Sequence, residues 1–353
     1  VYGLSLPAGR YEIIVSYLGY RSDTTVVDLP RDIPHNVALV PIAIPFPEIV
    51  VSGEDPAHEI MRNVIARKQE WFDALLSFMG KAYTRTAIRT DTSMAMIAES
   101  YSTIYWAKGD SLREVITQQR QSATVPSTLP LAYVRAVLNF YEDRIDLGGC
   151  VFVGPTAADA FSYYNFKLTT VRYQDNVPIY DIEITPKSRL TPLFRGRISI
   201  DGKTYRMIEV DVEPNEAFVL PLVKSTAIRF RQQFRLYDDK YSLPADYHLD
   251  VMTHVSLVVA SGKVGFAKSV VLYDYAINSD LTDSLRLLPA LSFHPRASVF
   301  DSTFWAQTNV LPLTGEEQLA YIRLDSIAAE RARRPRSSVS RFLRFLCPMG
   351  ETC

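Results

Sequence analysis

With 353 residues, 39.9 kDa and 47% hydrophobic residues, the chain can fill two or three ordinary cores, which excludes a largely disordered protein. A formal charge of −1 and a pI near 6.6 give no global field for a polyanion, so nucleic-acid binding is not expected. Cys150, Cys347 and Cys353 form no readable disulfide framework, and no apolar run reaches the ~18 residues of a spanning helix, since Val37 to Val51 is broken by Pro41, Pro45 and Pro47.

The chain opens on β-rich sequence. Pro7-Ala8-Gly9 is a turn, proline presetting φ and glycine tolerating positive φ, and it leads into Tyr11 to Tyr17, where Ile13 and Val15 alternate with Glu12 and Ile14. Residues 1–53 are expected to form a partial β-sandwich that begins in mid-fold. Asp55-Pro56 then supplies an N-cap and a first-turn proline, and Met61, Val64, Ile65, Phe72, Leu75, Leu76 and Met79 follow at helical spacing before Gly80. An amphipathic linking helix is therefore expected over residues 54–80, laid across a sheet, with His58 and Glu59 as solvated or capping groups.

From 81 to about 290 the texture is that of antiparallel strands. Lys108-Gly109-Asp110-Ser111 joins two of them, and Asp201-Gly202 predicts a two-residue hairpin between Phe194–Ile200 and Lys203–Val212. Phe194, Gly196, Ile198 and Ile200 share one face of the first arm, and Ile208, Val210 and Val212 share one face of the second. Next, Ile228, Phe230, Phe234 and Leu236 alternate with Arg229, Arg231, Gln233 and Arg235, and Gln232 is the lone polar residue on the apolar face. Leu131 to Tyr141 reads as helical, and Pro155 to Phe161 as a short turn or helix. Leu147-Gly148-Gly149-Cys150 looks like a lipoprotein-processing box, but it is internal and follows charged residues, so Cys150 is read as an ordinary residue in a strand or turn. Residues 291–353 are read as loop, then a helix opened by Thr314-Gly315-Glu316-Glu317 and carrying Leu319, Ile322, Ile327 and Ala328, then a basic tail. The fold class is mainly β (α+β): a partial β-sandwich, a large antiparallel sheet packed on one helix, and a helical C-terminal tail.

Enzyme signatures are missing. The sequence has no nucleophile elbow, phosphate-binding loop or dinucleotide turn, Ser261-Gly262-Lys263 being read as a hairpin-like turn. None of His35, His58, His248, His254 or His294 begins a zincin or carboxypeptidase ligand pair. His248, Asp250, Met252 and His254 share a strand face, but the two histidines stand ~20 Å apart at ~3.3 Å per residue and cannot hold one ion. No catalytic residue, cofactor or metal is expected. Arg229, Arg231 and Arg235 form a row that suits either an anionic headgroup or partner, or a solvated outer face with cross-strand ion pairs.

The N-terminal stretch, through Tyr2-Gly3, Leu6-Pro7-Ala8-Gly9, Tyr11, Tyr17-Leu18-Gly19-Tyr20 and Glu48-Ile49-Val50-Val51-Ser52-Gly53, resembles the carboxypeptidase regulatory-like domain, a transthyretin-like sandwich that precedes outer-membrane barrels and is not itself a peptidase. From Asp55 onward the chain resembles an uncharacterised family in which that sandwich is followed by a periplasmic β-rich region and a barrel. The resembling residues are Asp159 to Tyr164, Tyr180 to Lys187, Phe194 to Asp201, Asp301 to Trp305 and Leu313 to Glu317. The Pro186-Lys187 and Gly196-to-Gly202 pattern is also similar to the open half-barrel of periplasmic lipoprotein carriers. That resemblance implies a curved sheet whose inward residues Phe194, Ile198, Ile200, Ile208, Val210, Val212, Phe230 and Phe234 either line an acyl-chain cavity or bury the helix. The resemblances together imply a non-catalytic, periplasm-facing part of an outer-membrane protein, with a binding or assembly role beside nutrient uptake and a protein partner. The alternative is a lipid or lipoprotein carrier. A membrane barrel is expected soon after Leu313; Arg341 to Cys347 stands there instead, which suggests truncation or a foreign segment.

Overall fold

Apolar and polar side chains alternate along most of the chain from Ser77 to Ile277, and in the computed structural model this pattern becomes one curved antiparallel sheet. The structure describes residues 8–15, 22–29, 36–40, 55–91, 93–122, 132–134, 137–147, 149–219, 226–257, 260–279, 287–308 and 310–333. One meander comprises β3 (Ser77–Thr90), β4 (Met94–Ala107) and β5 (Arg113–Gln121). A second comprises β8 (Tyr164–Gln174), β9 (Val177–Pro186), β10 (Phe194–Asp201), β11 (Met207–Pro214), β12 (Thr226–Tyr237), β13 (Tyr241–Leu257) and β14 (Ala260–Ile277). Antiparallel pairing of β3 with β14 welds the two, and β15 (Leu291–Phe293) adds parallel to β5, giving eleven strands among the described residues. The sheet ends on β8 and β15 without closing, which is the expected half-barrel.

Across its concave side lies α1 (Pro56–Ala74), entered as expected through Asp55, whose carboxylate accepts the N–H of Ala57 at 2.9 Å. The same carboxylate accepts the N–H of Leu168 at 3.2 Å, tying the helix start to the edge strand β8. Ala57, Ile60, Met61, Val64, Lys68 and Trp71 are buried at three- and four-residue spacing, one stripe of the helix. The helix stops at Ala74, not near 79: Met79 and Gly80 belong to β3, which pairs with β4 from Ser77 onward. Leu75 to Met79 is an apolar run that fits either period, and two flanking strands decide it.

Between β5 and β8 the described residues from Ala132 to Tyr163 lie in the hollow as an irregular plug. It contains a small hairpin, β6 (Arg144–Leu147) with β7 (Cys150–Val153), turned at Gly149 with φ +86°, and a one-turn α2 (Ala160–Tyr163). The helix expected over Leu131 to Tyr141 is not formed in the residues described there. Instead Phe140 and Phe152 pack on Phe194 at 5.1 and 4.6 Å between ring centroids, and Tyr141 meets Phe234 at 4.7 Å and Trp71 at 5.0 Å. Cys150 begins β7, half-buried, in keeping with an ordinary strand residue.

Two local readings change at the β10–β11 connection. Five residues, 202–206, separate the strands instead of a two-residue turn, because Asp201 caps the loop by accepting the N–H groups of Lys203 at 3.0 Å and Thr204 at 2.8 Å. A bulge then sets Ser199 opposite Glu209 but Ile200 opposite Met207. The slip turns fully buried Met207 inward and leaves Ile208 only half-buried. Ser261-Gly262-Lys263 likewise lies within β14, opposite Ser256, Val255 and His254, not in a turn.

The convex side is covered over β3 to β5 by the C-terminal segment, with α3 (Ser302–Gln307) and α4 (Gly315–Arg333). Thr314 and Glu317 cap α4 reciprocally: the Thr314 N–H donates to the Glu317 carboxylate at 2.8 Å and the Glu317 N–H to the Thr314 hydroxyl at 3.3 Å. Glu317, Ala320 and Leu324 face the sheet, and Leu319 and Ile322, on the helix as expected, are exposed. At the other end of the chain, β1 (Gly9–Val15) and β2 (Asp23–Leu29) form an antiparallel hairpin. The remaining strands of the expected sandwich, and the basic tail past Arg333, lie outside the described residues.

Candidate functional site

The inward residues Phe194, Ile198, Ile200, Val210, Val212, Phe230 and Phe234 are all buried in one core under the plug and α1, and Ile208 falls outside it. None of the eight lines the apolar cavity that remains in the half-barrel. That cavity, of about 410 Å³, lies at the other end of the hollow, between the C-terminal half of α1, the start of β3, the end of β4, the β13–β14 pair and the plug. Its size falls in the lower part of the range for small-molecule sites.

Aromatic rings build its walls. Phe78 stacks on Trp106 at 5.4 Å and meets Tyr275 edge-on at 5.4 Å. Tyr275 points inward because a bulge between Tyr273 and Ala276 puts Asp274 at φ +52° and advances the alternation by one residue. Asp274 then turns out to Lys81 at 2.9 Å, and the Tyr275 hydroxyl donates to the Pro244 carbonyl at 2.9 Å. The ring fits because Gly80 carries no Cβ, which would sit 3.2 Å from it. Trp71, Phe72, Leu112, Ile104 and Leu272 are among the other apolar residues of the lining, with Asn139, Glu142, Asp146 and Ser242 as polar residues along it. Glu142 keeps solvent on one side, while its apolar neighbours on the other raise its carboxyl above the ordinary carboxylate range.

Deeper in the hollow the sheet presents buried polar side chains to the backbone of the plug. Ser100 donates to the Ala132 carbonyl at 2.7 Å, and Glu114 accepts the Val134 N–H at 2.7 Å. Gln232, fully buried, donates to the Leu138 carbonyl at 2.8 Å and accepts the Phe140 N–H at 3.1 Å. Lys268, on the same face, lies 4.5 Å from the centre of the Tyr133 ring. Burial pulls its pKa from the ordinary 10.5 down to about 8, against the pull of Glu114. The unfolded chain therefore binds the extra proton between these two pH values, so this lysine should make stability climb from about pH 8 to about 10.5. Urea titrations across that range should show the rise in the native protein relative to Lys268→Met; equal pH profiles would refute it.

The arginine row lies on the outer face. Arg229 is bidentate to Asp211 at 2.6 Å, Arg231 reaches Asp250 at 2.8 Å, and Arg235 is exposed. A depression of about 860 Å³ on this face is lined by Arg195, Arg197, Arg229 and the carboxylates they pair with, Glu213, Glu216 and Asp211 among them. Its floor is Gly196 at φ +141°, where a Cβ would lie 2.3 Å from the Asp211 carbonyl oxygen. In the His248 row, His248 hydrogen-bonds Ser269 at 3.1 Å and Asp250 is taken by Arg231. No cluster of three or more His, Cys, Asp or Glu suited to a metal ion occurs among the described residues.

A second buried polar centre, not anticipated from the sequence, joins the convex face to the C-terminal segment. Glu99 accepts from Arg120 at 2.7 Å, from the Tyr321 hydroxyl at 2.9 Å, and from Tyr83 and Arg85. Arg85 also reaches Glu317 at 3.1 Å and the carbonyls of Leu311 and Pro312, while Arg120 lies 4.2 Å from the Trp305 ring centre. Strand alternation marked only Gln232 of the first cluster and nothing of the second, because each is assembled from residues far apart in sequence.

Residues 60–269 match the family described as "Family of unknown function (DUF5686)". No curated protein matches the chain. Among solved structures, a putative outer membrane lipoprotein-sorting protein domain from Vibrio parahaemolyticus aligns at 13% identity and a TM-score of 0.32, over 66% of this chain and 96% of that one. A LolA superfamily protein from Nitrosomonas europaea aligns at 13% identity and 0.29, over 66% and 97%. A chain of the MucA/MucB complex of Pseudomonas aeruginosa aligns at 9% and 0.19, over 64% and 100%. Scores this low leave function to be argued from the chain's own geometry. Neither the family match nor the single described N-terminal hairpin extends to a regulatory-like sandwich.

Proposed function

We infer, for a chain that belongs to this family of unknown function, a non-catalytic binding role in which the half-barrel holds the apolar chain of an amphiphile. The observation that carries it is the cavity of about 410 Å³ walled by Trp71, Phe72, Phe78, Trp106, Leu112 and Tyr275, an apolar hollow retained inside a sheet whose other end is tightly filled. The polar groups around it are few, and none forms a nucleophile–base pair, so binding accounts for the geometry without reactive chemistry. The outer-membrane, periplasm-facing location proposed with this role, and a protein partner there, rest on the sequence resemblance.

Lipids extracted from the purified protein and identified by mass spectrometry test the reading. A single-chain species near one per protein is expected, and Leu112→Trp, which narrows the cavity, should lower its retention by about tenfold or more, the effect of ~1.4 kcal/mol or more of lost binding. Equal retention by a folded Leu112→Trp protein would refute the site.

A further inference from the structure

Glu142 and Asp146, both solvent-exposed at the polar side of the apolar cavity, have no ion-pair partner among the described residues, and the charge of Glu142 is offset only in part. Lys68, which acts on Glu142 through space, is buried and held by Asp143 and by the Thr156 carbonyl at 2.9 Å. The cations that flank the wall in sequence are also engaged: Arg113 with Asp110 at 3.0 Å, Lys108 with Asp73 at 3.2 Å, and Arg144 with Asp159 at 2.7 Å. Asp146 accepts the Gly149 N–H at 2.7 Å, and among the described residues neither carboxylate has an ion-pair partner.

We propose that the cavity selects a single-chain amphiphile with a cationic amine headgroup, the chain lying among Phe72, Phe78, Trp106 and Leu112 and the ammonium against Glu142 and Asp146. This rests on the apolar-ligand reading above and adds the headgroup to it. An ammonium there gains charge-assisted hydrogen bonds to acceptors that lack a cationic donor. A carboxylate or phosphate headgroup would meet two like charges at this solvent-exposed rim, which disfavours it relative to an ammonium. The apolar wall on one side raises the Glu142 carboxyl, and Lys68 opposes that rise only in part.

The test compares dodecylamine, dodecanol and dodecanoate, each below its micellar threshold, by calorimetry and tryptophan fluorescence at neutral pH. Dodecylamine should bind at least about tenfold more tightly than dodecanoate, and the double variant Glu142→Gln/Asp146→Asn should bring that ratio toward one. Equal or tighter binding of dodecanoate to the native protein overturns the headgroup assignment while leaving the cavity a lipid site. Failure of all three to bind overturns the cavity reading itself. Should the double variant not fold, the native amine-to-carboxylate ratio decides alone.

Discussion

Glu99→Ala should cost about 3–5 kcal/mol of unfolding free energy, because it removes the shared partner of the buried Arg85 and the half-buried Arg120. Glu99 is 2% exposed and takes hydrogen bonds from Tyr83, Arg85, Arg120 and Tyr321. Without it, Arg85 keeps Glu317 and two carbonyls, but among the described residues Arg120 keeps the faces of Trp305 and Tyr321. Tyr321 and Glu317 belong to α4, so the loss should show first where α4 meets β4. Urea denaturation measures the total, and hydrogen exchange should show amides of residues 310–333 opening before those of β3 and β4. A loss under ~1 kcal/mol would mean that the cluster is as weak as an exposed ion pair.

Gln232→Leu should destabilise by about 2–4 kcal/mol, since it leaves the Leu138 carbonyl and the Phe140 N–H buried without partners. Leucine suits the apolar face of β12 in size and character, so sequence pattern alone would rate this change as harmless or favourable. The cost arises on the plug. Phe140 then loses the bond that sets its ring between Phe194 and Phe230, which also loosens the aromatic packing around it. Chemical denaturation with near-ultraviolet circular dichroism reads both effects. A neutral or stabilising outcome would show that the plug is held by its rings alone.

Much of the half-barrel was legible in residue order. The run Ile228, Phe230, Phe234 and Leu236 against Arg229, Arg231 and Arg235 gave a strand with one buried face, and the structure buries Phe230 and Phe234 while exposing the arginines. Asp55-Pro56 marked the start of α1, and Thr314 to Glu317 marked the start of α4, because caps are local chemistry. Where two periods fit one run, residue order misled. Leu75 to Met79 continued the helical stripe on paper, yet pairing with β4 and β14 made it a strand. Ile208 continued the inward row, yet the bulge beside Ile200 put Met207 there. Leu319 and Ile322 lie on α4 as expected but exposed, since the sheet offered Ala87, Met94 and Ile97 beside Arg85, and that surface took Glu317, Ala320 and Leu324.

The candidate site was hidden for a related reason. Its lining comes from α1, β3, β4, β13, β14 and a stretch with no period, and a bulge at Asp274 turns Tyr275 into it. No spacing along the chain encodes such a meeting. Gln232 was visible as an anomaly, a polar residue on an apolar strand face, and such anomalies marked where another segment must supply partners.

By itself the sequence determined the β character of residues 81 to about 277, the two helix starts, and the division of its clearest strands into a greasy and a charged side, since these follow from side-chain alternation and backbone chemistry within a few residues. Tertiary structure decided which strands became neighbours, where bulges reversed a face, that the described residues between Ala132 and Tyr163 fill the hollow, and that an apolar space of about 410 Å³ stays open beside two carboxylates without ion-pair partners among the described residues. Those outcomes depend on contacts between residues tens to hundreds of positions apart, whose energies no local pattern carries.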